Sequence, residues 1–346
     1  MMEPIIIAGP CAAESREQLF ATAQQICSQF SEKNLHLTYY RAGVWKPRSR
    51  PDDFTGAGDK ALAWMLEIEH SYGFKPCVEI ARPEHAEACL NAGIKSFWIG
   101  SRTTVNPFIV QELADSLRGC KCTVMVKNPV TPDLKLWAGD IERFLKNGLT
   151  DIIAIHRGFT QSSENIYRNA PVWQIPIELK LQFPDLPLVC DPSHLTGAPN
   201  HIASVSQLAL DFGFDGLMIE THHNPEAALS DSSQQITPAE LTNLLSSLVF
   251  KSKTSSPAEN ELRKQRTLID NIDSQIGELL LKRMQVVDNI ALIKQKNNLP
   301  LVQPSQWSKV VANYKKNATD DKHFQDFIDK FLEILHQQSI ERQTKK

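Results

Sequence analysis

Cationic side chains recur at the ends of short apolar segments in the N-terminal half of the chain. Each stands at or just beyond the last apolar residue of a strand-like segment: Arg41, Lys46, Arg48, Arg102, Lys127 and Arg157. A single lysine or arginine is usually a solvated surface charge, but six on one rim would repel each other without anions to neutralise them. Because the guanidinium fork pairs with phosphate and carboxylate oxygens, the pattern predicts a phosphorylated, anionic substrate.

A second group of residues has the chemistry of metal ligands. Cys11, His194 and Glu220 follow three other strand-like segments, and Asp231 lies in the loop after the last of them. A thiolate, an imidazole and two carboxylates form a mixed soft and hard ligand set, which suits Mn, Fe, Co or Zn better than Mg or Ca. A lone cysteine is more often a small buried hydrophobic residue, so this prediction depends on a fold that brings the segments together.

Four further polar residues near the segment ends have less specific predicted roles. Asp191 is expected to orient a lysine or a histidine from behind the site, and Glu79 is expected to act in a similar way. His222 and His223 compete with His194 as metal ligands, although a position outside the ligand shell or on the surface suits them better.

The elements that must position these residues alternate regularly along the chain. Eight apolar, strand-like segments are separated by helical stretches as far as residue 250. The alternation predicts an α/β fold, a (β/α)₈ TIM barrel over residues 1–250, which is the usual length for this fold. The helical stretches are expected at 16–31, 58–72, 83–92, 106–117, 134–147, 176–183, 202–212 and 238–250. A barrel gathers its chemistry at the C-terminal ends of its strands, so the cations and the metal ligands are expected on one rim.

The composition changes after the predicted barrel. Residues 251–258 (KSKTSSPA) are small and polar and are predicted to form a linker. From residue 259 to 346 apolar residues recur at spacings of three and four, which predicts an all-α domain of three helices. The first is expected to reach about residue 298, before Pro300 and Pro304, and the others are expected at about 305–317 and 321–342.

Three cations on the first tail helix could serve one ligand only across a dimer. Arg283 and Lys294 face the same way, about 16 Å apart along the axis at 1.5 Å per residue, and could bracket a small dianion. Arg266 lies about 25 Å before Arg283 and on another face, so it could reach only a partner's site in an antiparallel pair. The alternative is a helical dimerisation bundle with ordinary surface cations.

Composition limits the partners and the compartment. The net charge of −3 argues against an obligate nucleic-acid or membrane partner. Seven cysteines are an odd number without paired zinc-type spacing, which favours free thiols in a reducing cytoplasm. No apolar run approaches the roughly 20 residues that a membrane helix needs.

Several motifs of the predicted barrel resemble one enzyme family. They are AGPCA (8–12), RAGVWKPRS (41–49), IGSRTT (99–104), VKN (126–128), HRG (156–158), DPSH (191–194) and IETHHNPEAALSD (219–231). Together they resemble the type I 3-deoxy-D-arabino-heptulosonate 7-phosphate (DAHP) synthases of the β subgroup. The K-P-R-S sequence at 46–49 distinguishes them from the related 3-deoxy-octulosonate 8-phosphate (KDO8P) synthases, where the pattern is K-A-N-R. Ser49 stands where threonine is usual.

The resemblance implies a metal-dependent condensation of phosphoenolpyruvate (PEP) with erythrose 4-phosphate (E4P). The implied ligands of the PEP phosphate are Arg102, Lys127 and Arg157, and those of its carboxylate are Arg41 and Lys46. The E4P phosphate would be held by Arg48 and Ser49. The implied metal ligands are Cys11, His194, Glu220 and Asp231. Lys46 would also donate a proton to the new alkoxide.

The tail resembles the all-helical (AroQ-type) chorismate mutase family over residues 259–346. The matching site residues are Arg266, Arg283, Lys294, Ser339 and Gln343. The family usually has Asp, Arg and Glu at three positions that are here Gln303, Gln306 and Trp307; Gln306 keeps hydrogen-bond donors for the substrate. The resemblance implies rearrangement of chorismate to prephenate, in which Lys294 and Gln343 act on the ether oxygen and Arg266 and Arg283 on the carboxylates.

The sequence therefore predicts a bifunctional enzyme of aromatic amino-acid biosynthesis, with a homodimer formed through its helical domain. The tail is also expected to sense a pathway product. Three alternatives remain open for the barrel: a KDO8P synthase-type condensation, a Schiff-base aldolase that uses Lys127, and a regulatory scaffold without turnover. For the tail, the alternative is a domain that only binds an effector and dimerises.

Overall fold

The computed structural model describes residues 3–47, 52–160, 166–250, 258–316 and 321–345. It contains two compact units, Met1–Lys253 and Thr254–Lys346. Arg48 and Ser49, and most of the predicted linker, lie outside the described residues.

The first unit is built on a closed barrel of eight parallel strands in sequence order. The strands are β1 (Ile5–Gly9), β2 (Tyr39–Ala42), β3 (Pro76–Ile80), β4 (Ser96–Ile99), β5 (Thr123–Lys127), β6 (Ile152–His156), β7 (Leu188–Cys190) and β8 (Gly216–Glu220). The barrel closes where β1 pairs with β8 over the whole of both strands, from Ile5 opposite Gly216 to Gly9 opposite Glu220. The predicted (β/α)₈ barrel is therefore confirmed.

Helices cover the outside of the barrel. They are α1 (Arg16–Lys33), α2 (Lys60–Tyr72), α3 (Pro83–Ala92), α4 (Pro107–Ser116), α5 (Leu134–Lys146), α6 (Gln174–Gln182), α7 (Pro192–Thr196), α8 (Ile202–Asp211) and α9 (Pro238–Ser247). Eight of them lie within three residues of the predicted bounds. The ninth, the five-residue α7, was not predicted, because one turn has no apolar periodicity; it begins at Pro192 with the Asp191 side chain accepting a hydrogen bond from the His194 N–H.

Buried side chains form two layers. One lies between the strands and the surrounding helices and contains most of the buried apolar residues. The other fills the barrel itself: Ile7, Tyr39, Cys77, Trp98, Met125, Ile153, Ile155, Val189 and Met218. The strands are buried on both faces, as a parallel sheet covered by helices requires. The barrel interior is thus a packed floor beneath the polar rim.

A glycine sets the approach of the first two strands. Gly9 has a φ of +146°, and a Cβ atom there would lie 2.1 Å from the carbonyl oxygen of Arg41. Any larger residue would push β1 and β2 apart at this level. The close approach places Cys11, two residues after β1, beside the strand that carries Arg41.

The second unit consists of α10 (Ala258–Lys296), α11 (Pro304–Lys316) and α12 (Lys322–Thr344). The second half of α10 packs against α12 through buried residues that include Val287, Ala291, Leu332 and Leu335. Large apolar residues in the first half of α10 are exposed, among them Leu268, Ile269 and Ile272. Among the helices that the structure describes, none combines the length and apolar content that a bilayer-spanning segment requires.

Candidate functional site

A cleft of about 760 Å³ opens at the C-terminal ends of the barrel strands. Its lining includes five of the six cations predicted from the sequence: Arg41, Lys46, Arg102, Lys127 and Arg157. His194 and Asp231 also line it. The sixth cation, Arg48, is outside the described residues. The cleft therefore combines a cationic wall with groups suited to bind a metal.

The side chains of Cys11, Glu220 and Asp231 meet at one edge of the cleft. One ligand atom from each lies within 4.8 Å of the other two. The Cys11 Sγ is 3.2 Å from Oδ2 of Asp231, and the Nε2 atom of His194 is 3.6 Å from Oε1 of Glu220. Residues that are far apart in sequence thus converge: Cys11 from the loop after β1, Glu220 from β8 and Asp231 from the following loop, with His194 of α7 beside Glu220.

The electrostatics of this group favour a bound cation. Burial, followed by the charge of Glu220, raises the pKa of Cys11 to about 12. Burial also acts to raise the pKa of Glu220, but His194 and Arg41 outweigh it and hold the pKa below its ordinary value. Two ionised carboxylates beside a thiol, a soft sulfur ligand once deprotonated, are the donors that a divalent transition ion would bind and neutralise. The residues present therefore fit a metal ion.

Arg41 is buried beside this group and keeps unused donors. Its Nη2 donates to Oε1 of Glu220 at 3.0 Å, and its guanidinium carbon lies 4.7 Å from the centre of the Trp98 ring. The Nε and Nη1 atoms are buried and have no partner among the described residues. A buried donor without a partner is costly, so these two atoms favour an anionic ligand in the cleft.

Asp191 contacts both a cation that lines the cleft, Lys127, and the histidine beside Glu220, His194. Its Oδ2 accepts from Nζ of Lys127 at 2.6 Å and lies 2.9 Å from Nδ1 of His194. Burial acts to raise the pKa of Asp191, but His194 and Lys127 overcome this effect and hold it well below the ordinary value. Asp191 is thus a buried anion that contacts both a lysine and a histidine.

The remaining predicted cations have partners that fix their positions. Nζ of Lys46 lies 3.5 Å from Oε2 of Glu79. Arg102 donates to the carbonyl oxygen of Pro47 at 2.8 Å. Nη1 of Arg157 donates to Oδ1 of Asn169 at 2.8 Å, and burial lowers the pKa of Arg157 to about 10.

The other two histidines lie outside the ligand group. Nε2 of His222 is buried 3.9 Å from Oε2 of Glu14, and the ring stacks on His223 at 4.5 Å. Burial and the neighbouring His223 lower the pKa of His222 to about 4. The two rings therefore form a neutral stack behind the site.

In the helical unit, two predicted pairs of site residues come together between α10 and α12. Nη1 of Arg283 donates to Oγ of Ser339 at 2.8 Å. Nζ of Lys294 lies 3.2 Å from Oε1 of Gln343. Arg266 is exposed in the first half of α10, and Gln306 is exposed in the first turn of α11. Within the described residues of one chain, the site is therefore assembled from four of its six predicted members.

Comparison with known proteins assigns this geometry to a family. The DAHP synthetase I family model matches residues 2–255, which include the whole barrel. The chain belongs to the DAHP synthetase I family. The chorismate mutase type II model matches residues 265–344, in the helical unit. Both predicted resemblances are confirmed.

Relatives agree with this membership. The phospho-2-dehydro-3-deoxyheptonate aldolase of Thermotoga maritima is 30% identical over 232 residues, which are 67% of this chain and 64% of that protein. A 2-dehydro-3-deoxyphosphooctonate aldolase of Protochlamydia amoebophila is 25% identical over 261 residues, 70% of this chain and 90% of that protein. A crystal structure of the Thermotoga maritima aldolase (DAHP synthase) superposes with a TM-score of 0.61 at 26% identity, over 70% of this chain and 68% of that one.

Sequence reasoning did not predict several residues of this DAHP synthetase-family site. Asn169 accepts from Arg157 and donates to the carbonyl oxygen of His194 at 2.7 Å. Arg168 donates to Asp231, and Gln234 donates to Glu220. Arg168 and Asn169 lie far from a strand end, so the rule that found the other cations could not find them. The sequence YRN (167–169), a cation beside an amide in a loop, was the only available signal.

Proposed function

We propose that the chain is a bifunctional enzyme that condenses PEP with E4P to give DAHP and phosphate, and rearranges chorismate to prephenate. The observation that carries the first activity is the convergence of five cations and the Cys11–Glu220–Asp231 group on one cleft of a family barrel. The family match of residues 265–344 supports the second.

The cationic wall suits PEP, which carries a phosphate and a carboxylate. Arg102, Lys127 and Arg157 would bind the phosphate, since all three line the cleft. Arg41 would bind the carboxylate through its two unpartnered donors. Holding both anions fixes the enol for attack on the aldehyde, and such positioning is a large part of catalysis of a bimolecular step. Arg48 and Ser49 would bind the E4P phosphate.

Cys11, His194, Glu220 and Asp231 would hold a divalent ion of the Mn, Fe, Co or Zn type. When bound, the ion supplies Lewis-acid polarisation of the aldehyde oxygen. Asp191, whose Oδ2 lies 2.9 Å from Nδ1 of His194, would orient the ring with Nε2 on the side of Glu220. A carboxylate behind a ligating histidine fixes the tautomer and the ring orientation.

Lys46 would donate the proton that the new alkoxide needs. It lies on the cleft beside Glu79, and burial, which favours the neutral amine, is outweighed by Cys11 and Glu79, so its pKa is raised. A charged lysine is thus available as an acid at neutral pH. Glu79 would keep it aimed at the cleft.

The helical unit would bind chorismate with cations on opposite sides. Arg283 with Ser339, and Lys294 with Gln343, would contact a carboxylate and the ether oxygen. Arg266 from a second subunit would complete the site, because it is too far along α10 to reach the pocket of its own chain. Gln306 would donate a hydrogen bond in place of a charge, so turnover would be modest.

The proposed organisation follows from these sites. We place a barrel domain at 1–250, a linker at 251–258 and a helical domain at 259–346, which forms a homodimer and senses a pathway product. The exposed apolar residues of α10 support the dimer. Seven free cysteines support a cytoplasmic location. The partners would be PEP, E4P and chorismate, with no nucleic acid or membrane.

One observation favours a second reaction class, the Schiff-base aldolase. Burial lowers the pKa of Lys127, which is a property of lysines that form Schiff bases. Its Nζ is nevertheless bound to Asp191 at 2.6 Å, as expected of a charged phosphate ligand. Borohydride trapping of a substrate adduct on Lys127 would establish the aldolase.

A pair of assays on the full chain tests the proposal. Phosphate release from PEP and E4P should require the metal, and a chelator should abolish it while added Mn²⁺ restores it. Prephenate formation from chorismate should be unchanged by the chelator, since the four proposed metal ligands all belong to the barrel. Arabinose 5-phosphate as a better acceptor than E4P would instead establish the KDO8P-type reaction.

A further inference from the structure

A buried glutamine links the two carboxylates of the proposed metal site. Gln234 is fully buried at the end of a short 3-10 helix, Ser232–Gln234, whose preceding residue is Asp231. Its Nε2 donates to Oε2 of Glu220 at 2.6 Å. Its backbone N–H donates to the carbonyl oxygen of Asp231 at 3.2 Å, which closes the short turn between the two residues.

Arg168 completes the link from the opposite side. Its Nη1 donates to Oε1 of Gln234 at 2.7 Å and to Oδ1 of Asp231 at 3.2 Å. Gly197 makes room for this arginine, because a Cβ atom there would lie 2.6 Å from the Arg168 side chain. Asp231 has a φ of +47°, a strained conformation for a residue with a side chain, and the contact with Arg168 helps to hold it.

The bonds of Arg168 and Gln234 occupy one oxygen of each carboxylate. Oε2 of Glu220 and Oδ1 of Asp231 are taken by the amide and the guanidinium. The other two oxygens lie near His194 and Cys11: Oε1 of Glu220, which also accepts from Nη2 of Arg41 at 3.0 Å, lies 3.6 Å from Nε2 of His194, and Oδ2 of Asp231 lies 3.2 Å from Sγ of Cys11. Each acid is therefore presented with a single oxygen toward Cys11 and His194.

We propose that Arg168 and Gln234 form a carboxylate strap, a pair of positioning residues that sets the affinity of the site for its divalent ion. The inference deepens the proposed function and rests on its metal site. Without the strap, the side chains of Glu220 and Asp231 would be less ordered before the ion binds. The entropy lost in ordering them would then reduce the affinity for the ion. Groups that orient metal ligands typically change affinity by about 10- to 100-fold when they are lost.

The test measures Mn²⁺ binding to the full chain by isothermal titration calorimetry, with no substrate and no turnover. Gln234→Met keeps the volume but removes both strap bonds of the side chain, and should weaken binding by about 10- to 100-fold. Arg168→Lys keeps the charge, but its Nζ ends one bond short of the position of Nη1, which makes both strap bonds of Arg168, and it should weaken binding by a smaller factor, about 3- to 10-fold. The protein with both substitutions should bind Mn²⁺ only slightly more weakly than Gln234→Met does, because each substitution already removes the hydrogen bond between Arg168 and Gln234.

Two matched substitutions serve as controls. Gln111→Met and Arg118→Lys make the same changes on the outer side of the barrel, where both side chains donate a hydrogen bond to Asp115. Both should bind Mn²⁺ as the unchanged protein does. Arg168 is half-exposed, so Arg168→Lys still decides the matter if Gln234→Met does not fold.

Folded Gln234→Met and Arg168→Lys proteins that bind Mn²⁺ as tightly as their controls would overturn the strap and leave the proposed function intact. An unchanged protein that binds neither Mn²⁺, Co²⁺ nor Zn²⁺ would instead overturn the metal site itself. Weakened binding in both strap variants, with unaltered controls, supports the inference.

Discussion

Replacing Asp191 by asparagine should destabilise the barrel more than any surface charge substitution. The carboxylate is fully buried, and one of its oxygens contacts both Lys127 at 2.6 Å and His194 at 2.9 Å. The Asp191→Asn substitution would leave the Lys127 ammonium buried without an anion. Removing one partner of a buried ion pair costs about 3–5 kcal/mol, and we expect a loss of this size in the free energy of unfolding at pH 7.

The pH dependence of that loss gives a sharper test. Burial lowers the pKa of Lys127 below its ordinary 10.5, and removing Asp191 lowers it further. The penalty for a lysine with a depressed pKa is complete below the pKa of the folded form, and it disappears as the pH rises from there toward 10.5. The difference in stability between the Asp191→Asn and unchanged proteins should therefore shrink above pH 7.

Urea unfolding followed by tryptophan fluorescence would measure this difference, since Trp307 is the only tryptophan of residues 254–346 and the others report on the barrel. Asp115→Asn is the matched control: it breaks an exposed pair with Arg118 and should cost less than about 1 kcal/mol. A loss for Asp191→Asn no larger than that of the control, or one that grows between pH 7 and pH 10, would refute the reasoning.

Three further predictions concern separate parts of the chain. Burial raises the pKa of Cys11 to about 12, so binding of Zn²⁺ at pH 8 should release about one proton from the thiol. Calorimetry in buffers of different ionisation enthalpy would count the released protons, and Cys11→Ser should abolish the release. An unchanged proton count would exclude Cys11 as a ligand. Arg283→Met should lower prephenate formation by about 100-fold, a loss of roughly 2.7 kcal/mol of transition-state stabilisation. Phosphate release from PEP and E4P should be unchanged. Equal loss of both activities would contradict independent sites. Burial raises the pKa of Asp140 to about 7, so its ionisation destabilises the fold as the pH rises from about 4 to 7. At pH 8, Asp140→Asn should therefore be more stable than the unchanged protein by a few kcal/mol, at about 1.4 kcal/mol per pKa unit, and the gain should vanish at pH 4. A gain in stability that does not depend on pH would exclude ionisation of Asp140 as its cause.

The architecture was predictable from the sequence because its signals are local. Each strand of the barrel is a short apolar run such as TVMVK, and most of the helices between them carry a proline or a capping residue at their first turn. The segment α7 was missed for the opposite reason: a single turn after Asp191 is stabilised by one side-chain cap and has no periodic pattern. That missed turn carries His194, so its placement in the site depended on a feature the pattern does not encode.

The candidate site was predictable only in part. Cations at strand ends could be collected on one rim because a parallel barrel places all its strand ends there. The contacts of each cation could not be predicted, because the partners are distant in sequence. Lys127 bonds to Asp191, which is 64 residues away, and Arg168 bonds to Gln234, which is 66 residues away. Such pairs are selected by the closure of the sheet.

The sequence by itself determined the class of the fold, the polarity of the rim and the chemistry of the groups on it, because composition and period act over a few neighbouring residues. Only the tertiary structure decided which groups share a charge and which are left with unused donors. Arg41 shows the difference: its type and its strand position can be read from the sequence, but its bond to Glu220 and its two unused donors exist only because β1 closes the barrel against β8. Burial by residues that are distant in sequence removes water as a competing hydrogen-bond partner. The interactions among the charged residues are therefore stronger in the folded protein than they would be in water.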